Sequence, residues 1–324
     1  MGEDNKQNRL DTISPTALAG LSSYAICGIP LAKEFLDLIC KDGIANPPIS
    51  IFNPSGDMPA EDLIRREVHS RAMDAILRSL LDEGRADTIL EFASGMSPRG
   101  LGLVNDHEVT YIETDISNDF AQKRSLCGRV AEGQGMELKG RHLFYPVDAI
   151  TMDGMDEVRK QLEPGKPIII THAGLITYHP PEKRDQISYN FREIMRSAPG
   201  SLWVTPDPGF LNTAYLNATT RLSGTYAQHL SKVTADFKQK LGVDVDRDFY
   251  ADEGQIEEHY NRLGFKIQKF GQPEFGFAIQ SAPLLQLDDP AREEFLILVK
   301  NSIKAWVFQL ADNYQPVQIA KPLM

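Results

Sequence analysis

The stretch TILEFASGMSPRGLG, residues 88–102, runs from an apolar segment containing Glu91 through the small residues Ala93, Ser94 and Gly95 into a run that starts like a helix. Small side chains let the backbone turn sharply and come close to a ligand. Ser97 suits an N-cap, and Pro98 suits a first helical position, where its missing N–H costs nothing. The reading is strand, tight turn, helix start. In open α/β sheets such a turn lies at the carboxyl end of a strand, where ligands settle.

Downstream, short apolar runs alternate with polar or helical stretches, the mark of a parallel sheet with crossover helices. Strands are predicted at 88–92, 108–112, 142–146, 167–171, 201–205, 266–270 and 305–309. Upstream, apolar residues recur at helical spacing over 15–41 with a break near Gly28 and Pro30, which predicts two short helices. A Pro-rich loop, NPPISIFNPSG, leads to an amphipathic helix predicted over 61–81 that stops at Asp82, Glu83 and Gly84. The polar helical stretch 212–262 is too long for a crossover and is predicted to pack as an insertion over the carboxyl edge of the sheet. The fold class expected is therefore α/β: a Rossmann-like, seven-stranded, mostly parallel sheet with helices on both faces. Residues 1–84 are expected to form an N-terminal helical lid and 85–324 the ligand-binding core.

With 324 residues, 42% hydrophobic and 24% charged, the chain can bury a large core and is unlike disordered or coiled-coil sequences. A net charge of −11 with scattered basic residues lacks the footprint of a nucleic-acid binder and argues against anionic membranes, while an acidic field does not oppose a cationic ligand. Cys27, Cys40 and Cys127 show no metal-ligand spacing and form no even framework, so neither a metal nor disulfides are expected. The start, MGEDNKQNR, has no apolar segment, and no run of about 18 apolar residues occurs. A cytoplasmic protein acting on a small molecule is expected; nothing in the sequence speaks to its oligomeric state.

The second strand reads VTYIETD and places Glu113 and Asp115 about 20 residues beyond the first turn, a spacing that suits ribose hydroxyls. The third ends YPVDA, with Asp148 positioned for an adenine edge. A dinucleotide pyrophosphate needs a glycine-lined helix start with free amides, yet positions 93, 95 and 98 are Ala, Gly and Pro. S-adenosylmethionine (SAM) carries no phosphate and needs only close backbone approach, so the pattern leans to SAM. A nicotinamide-dependent oxidoreductase is the alternative enzyme, and a SAM-binding protein without methyl transfer the alternative non-enzyme. Taken singly, each feature also has an ordinary structural explanation, a tight connection or a solvated carboxylate.

These motifs resemble the leucine carboxyl methyltransferase and polyketide O-methyltransferase group of class I SAM-dependent methyltransferases, over roughly residues 15–210. ILEFASGMSPRGL is similar to that group's strand, glycine turn and trailing arginine, here Arg99, with Glu91, Ala93 and Gly95 at the cofactor. HSRAMDAIL resembles its helix before the first strand, which implies that Arg71 reaches the SAM carboxylate. YIETDI implies Asp115 and Ile116 at the ribose, and YPVDA implies Asp148 and Ala149 at the adenine. HAGLITYHPPE resembles the fourth-strand signature, but Ala173 stands where the family usually has glutamate, with His172 as the adjacent polar group. SPTALAGLSSYAICGIPLAKEF is similar to the family's leading helices, which makes Tyr24 and Lys33 candidates to touch cofactor or substrate; packing and snorkelling are their ordinary alternatives.

Methyl transfer from a sulfonium depends chiefly on positioning. A carboxylate acceptor needs no base; for a hydroxyl, His172 or His179 are the candidates, with a structural or capping role as the alternative. Tyr178 is a candidate to orient the acceptor or simply to pack, and Arg99 to bind an acidic substrate or to pair with Glu91. Asp207 sits in a proline-flanked turn, and Asp244, Asp246 and Asp248 lack the glycine and closing glutamate of a calcium loop, which leaves a solvated turn. The expectation is a SAM-dependent O-methyltransferase acting on a small-molecule carboxylate or hydroxyl.

Overall fold

The computed structural model describes residues 15–43, 58–116, 120–210 and 213–318; the opening MGEDNKQNR and the Pro-rich loop lie outside the described residues. Three helices come first: α1 (Pro15–Ile26), α2 (Ala32–Lys41) and the long α3 (Ala60–Asp82). The strands are β1 (Thr88–Phe92), β2 (Thr110–Asp115), β3 (Arg141–Pro146), β4 (Ile169–His172), β5 (Leu202–Thr205), β6 (Phe265–Gly271) and β7 (Lys304–Leu310). They interleave with α4 (Arg99–Asp106), α5 (Phe120–Gly133), α6 (Met152–Arg159), α7 (Pro181–Ser197), α8 (Thr213–Leu222), α9 (Gly224–Asp236), α10 (Glu253–Arg262) and α11 (Asp289–Ser302). The sheet order is β3-β2-β1-β4-β5-β7-β6. The pairings from β3 across to β5 are parallel, and β7 runs antiparallel to both β5 and β6. The expected Rossmann-like, seven-stranded, mostly parallel sheet is the observed one.

After β3 the chain crosses to the other side of β1 to lay down β4. Connections leaving β1 and β4 therefore diverge, and the crevice at their carboxyl ends is where such sheets bind ligands.

Side-chain alternation assigns each strand residue to a face. Ile89 packs in the core with Phe35 of α2, Met73 and Ile76 of α3, Leu101 of α4 and Leu126 of α5. Leu90 and Phe92 join the opposite core with Met155 of α6, Phe191 of α7 and Tyr260 of α10. On α7, Ile187, Phe191, Ile194 and Met195 are buried at helical spacing, each such side chain stabilising the fold by about 1.5–3 kcal/mol.

Three expectations need adjustment. The second strand, expected at 108–112, spans Thr110–Asp115: Val109 is tied to the His107 carbonyl and the Arg141 N–H, and pairing with β3 continues to Asp115 opposite Pro146. The helix after the first turn begins at Arg99 with Pro98 as N-cap, so Ser97 does not hold the cap position, although its Oγ accepts a hydrogen bond from the Arg99 N–H at 3.4 Å. The 212–262 stretch is helical, and the run with Asp244, Asp246 and Asp248 closes as a short helix with Asp248 buried rather than solvated. Among the described residues no helix is long and apolar enough to cross a membrane, and no group of acidic, histidine or cysteine side chains has the makings of a metal site.

Candidate functional site

The turn after β1 is built by two departures from ordinary backbone, one on each side of Ser94. Ala93 (φ 51°) and Gly95 (φ 48°) both adopt left-handed conformations, the first at a cost of about 1–2 kcal/mol for a residue bearing a Cβ. Neighbouring β2 compensates: the Ser94 N–H donates to the Thr114 carbonyl at 3.1 Å, and the Gly95 N–H donates to Asp115 Oδ2 at 2.9 Å. Asp115 Oδ1 accepts from the Ile116 N–H at 2.8 Å. A Cβ on Gly95 would lie 3.3 Å from the Cβ of Ala17, so α1 covers the turn.

Glu91 and Glu113 stand side by side in the β1–β2 register, both essentially inaccessible. Two buried like charges need two cations. Glu91 receives the Arg99 Nη1 at 2.6 Å on one oxygen and the Tyr111 hydroxyl at 2.8 Å on the other. Burial still raises its pKa, against the pull of Arg99. Arg99 also donates from Nε to Asp74 of α3 at 2.5 Å. Glu113 pairs with Lys123 of α5 and, at 2.6 Å, with His142 of β3. The network decides how these charges are used. Glu91 is buried at 1% exposure and out of a ligand's reach, Arg99 takes the ion pair with Glu91 that was one of its two expected roles, and Glu113, paired in the core, leaves Asp115 as the accessible carboxylate at the end of β2.

At the end of β3, Asp148 Oδ1 accepts from the Ile150 N–H at 2.9 Å, while Val147 is tied to the Asp115 carbonyl at 2.8 Å. The Ala149 carbonyl is held from α7 by the Asn190 Nδ2 at 2.8 Å, a contact no sequence motif announced. Gly95, Asp115 and Asp148 therefore lie at three adjoining strand ends, with Ile116 78% exposed beside them. His179 is close enough to Asp148 to feel its charge, though burial and Lys183 keep its pKa below the ordinary value.

His172 falls on the same face as Ile170 and packs among Phe191 and Trp203, away from the face that carries α3. Among the described residues its Nε2 meets no partner, and burial alone pushes its pKa down to about 3. It is a neutral core residue, not a base at the crevice. Ala173, one step on, packs against the α3-side core. Arg71 is likewise occupied: Nε donates to Glu67 at 2.7 Å and Nη2 to the carbonyls of Cys27 and Gly28 at 3.0 and 3.3 Å. Glu67 in turn accepts from the N–H groups of Gln280 and Ser281, which makes the pair a fastening between α3, the α1–α2 turn and a distant loop. Lys33 lies at the surface, paired with Asp37 at 2.5 Å.

The side chains that do converge beside the crevice come from α1, α3, the turn after β4 and the insertion. Asp62 on α3 is buried between Arg65, whose Nη2 approaches to 2.7 Å, and Arg66, whose Nε approaches to 2.8 Å. The Arg66 charge acts on Tyr24, His69, Tyr178 and His229. Burial, reinforced by Arg65, pushes the His69 pKa down to about 3. Tyr178 covers Gly174, where a Cβ would lie 3.2 Å from its ring, and stacks on Phe237 of the insertion at 5.7 Å. The preceding Thr177 donates from N and Oγ1 to Asp207 Oδ2 at 3.2 and 2.9 Å. Asp62, Arg65, Arg66 and His69 escaped sequence reasoning, although their helical spacing marks one polar stripe on α3.

No family model and no curated protein matches the sequence. Solved structures with a similar course of the chain include an O-methyltransferase family protein from Burkholderia thailandensis, at 12% identity over 77% of this chain and 57% of that one, with a TM-score of 0.42. A suggested methyltransferase from Thermobifida fusca YX shares 15% identity over 90% of this chain and 94% of its own, with a TM-score of 0.47. Magnesium protoporphyrin IX methyltransferase from Synechocystis PCC 6803, solved with bound SAH, shares 14% identity over 67% and 82%, with a TM-score of 0.40. This chain thus spans 57% of the length of the first of these.

Proposed function

We propose that the chain is a SAM-dependent O-methyltransferase acting on a small-molecule carboxylate or hydroxyl. The observation that carries this reading is the Gly95–Asp115 hydrogen bond at the switch point of the sheet, which joins a close-approach turn to a half-buried carboxylate. Asp115 keeps lone pairs free for ribose hydroxyls, which suit a carboxylate already oriented by two backbone amides. Exposed Ile116 offers an apolar face to an adenine ring, and Asp148, fixed by its own turn, offers an acceptor at the ring's edge. Ala17 of α1 stands directly over the turn at Gly95. Pro98 as N-cap contributes no N–H, which a pyrophosphate would want and SAM does not.

When bound, SAM supplies an electrophilic methyl and a neutral leaving group, so the chain's own contribution is alignment and desolvation. Tyr24 and Tyr178 remain neutral, since burial raises both hydroxyl pKa values, and they orient an acceptor without donating charge. Calorimetric titration with S-adenosylhomocysteine (SAH) and with NADH tests the assignment. Binding of SAH but not NADH is the expected result; the converse, or no binding of SAH at high concentration, rejects it.

A further inference from the structure

Glu67 and Arg71, one helical turn apart on α3, tie together segments that are remote in sequence. Glu67 is fully buried and accepts twice on each oxygen: from Arg71 Nε and the Gln280 N–H, both at 2.7 Å, and from the Ser281 N–H and hydroxyl at 2.8 and 2.5 Å. Arg71 carries the connection onward, its Nη2 donating to the Cys27 and Gly28 carbonyls at 3.0 and 3.3 Å. Cys27 is pinned again by its thiol, which donates to the Leu63 carbonyl at 3.4 Å. Gly28 is left-handed at φ 62°, and a Cβ there would collide with Gln280 Oε1, so the loop before α11 closes directly on this turn.

The turn joins α1 to α2, and the other end of α1 meets the turn after β1, where Ala17 lies 3.3 Å from the place of a Cβ on Gly95. Leu18 and Leu21 pack α1 onto the core, but apolar contact is non-directional and leaves the angle of a helix loosely set. The hydrogen bonds at its base are directional. Ala17 is ten residues from Cys27, about 15 Å along a helix, so a tilt of about 10° at the base moves it by about 2–3 Å.

We propose that Arg71 is a positioning residue: it holds the base of α1 so that Ala17 roofs the turn at Gly95, and through Glu67 it makes that placement depend on the loop at Gln280 and Ser281. This rests on the methyltransferase reading, which puts the cofactor at that turn. Nη1 of Arg71 has no acceptor among the described residues, so direct contact with the cofactor's carboxylate is the competing role. The two roles differ in the ligands they affect. A residue that sets the population of a binding-competent conformation scales the affinity of every ligand needing it by one factor. A residue that touches the carboxylate acts only on ligands that carry one.

The probes are SAH and decarboxylated SAH, which lacks only the carboxylate, titrated calorimetrically into the full chain and into Arg71→Met. Both affinities are expected to fall by the same factor, about tenfold, as the roofed population drops to about a tenth. Because Arg71→Met leaves Glu67 charged and buried, Glu67→Gln/Arg71→Met, which removes both charges, is measured alongside. Hydrogen exchange without ligand is expected to quicken in α1 in both variants and to stay unchanged in the sheet. A loss confined to SAH, or decarboxylated SAH that fails to bind the unaltered chain at millimolar concentration, overturns the proposal in favour of direct contact. Unchanged affinities would leave the fastening a matter of stability alone, and tighter binding would make α1 an obstruction; either overturns the proposal, as does unchanged exchange in α1. Failure of SAH to bind the unaltered chain rejects the methyltransferase reading separately, and the exchange measurement then still decides whether Arg71 holds α1.

Discussion

The carboxylate of Asp115 accepts the backbone N–H of Gly95 at 2.9 Å, so the turn after the first strand is held open by a side chain from the end of the second. Asp115→Ala removes both the proposed ribose acceptor and the partner of that amide. SAH affinity should fall by about ten- to a hundredfold, the worth of a charge-assisted hydrogen bond, with little change in melting temperature because the side chain is only half-buried. Calorimetry on the variant, with Asp115→Asn alongside to retain one acceptor oxygen, checks this. Undiminished affinity in Asp115→Ala would remove Asp115 from the cofactor site.

Behind the turn, Gly100 faces the buried Glu113–His142 pair, and a Cβ there would sit 2.5 Å from Glu113 Oε1 and His142 Nε2. Gly100→Ala should cost about 1–3 kcal/mol by overpacking. The same network sets an acid limit. Burial opposes the charge on Glu113, but Lys123 and His142 more than offset it and bring its pKa down from 4.5 to about 2. A folded pKa below the unfolded one means stability that is present above about pH 4.5 and is lost as pH falls toward 2. Urea melts between pH 6 and pH 3 should show this loss in the natural chain. In the double variant Glu113→Leu/Lys123→Leu, which leaves no unpaired buried charge, the loss should be smaller.

His172 contributes acid sensitivity in a higher window. Its pKa is pushed down from 6.5 to about 3, so the unfolded chain takes up a proton that the folded one refuses between those values. Stability should therefore decline as pH drops below 6.5, with a limiting slope of about 1.4 kcal/mol per pH unit for one such group. His69 acts in the same sense. His172→Phe should flatten the decline by one group's share, keep the aromatic packing with Trp203 and leave SAH affinity unchanged. A loss of SAH binding would show that His172 serves the crevice after all.

How much could be read in advance depended on whether a residue's role was local. Strand, turn and helix at 88–102 follow from side-chain size and period, and the sheet that follows them needs only the alternation of short apolar runs. The end of β2 is legible only in part: the apolar pattern stops at Ile112, while the motif VTYIETD carries the strand to Asp115. What the sequence could not say is which of two nearby charges is spent. Glu91 and Asp115 look equivalent in the chain, yet Tyr111 and Arg99 make Glu91 internal, and the carbonyls of Cys27 and Gly28, far away in sequence, occupy Arg71 together with Glu67. His172 shows the same limit in another form. Its position at a strand end suggested chemistry, whereas the face it occupies follows from the register of Ile170 against Leu90 and from the core behind it.

Asp207 supplies a test of opposite sign. Burial raises its carboxyl from 3.8 to about 6, in spite of the two hydrogen bonds that Thr177 donates to Oδ2 and the lowering influence of the Gly209 amide and Arg184. A folded pKa above the unfolded one stabilises the fold below about pH 3.8, and that contribution is lost as pH rises through 6. Asp207→Asn cannot ionise and keeps an oxygen for the Thr177 donors. The variant should gain on the natural chain as pH is raised from 4 to 8, by up to about 3 kcal/mol, with the gap opening between pH 4 and pH 6. Parallel thermal melts across that range measure it. A gap that stays constant would mean that the ionised Asp207 finds compensation in the fold, and Arg184, whose charge acts on it from α7, would be the group that provides it.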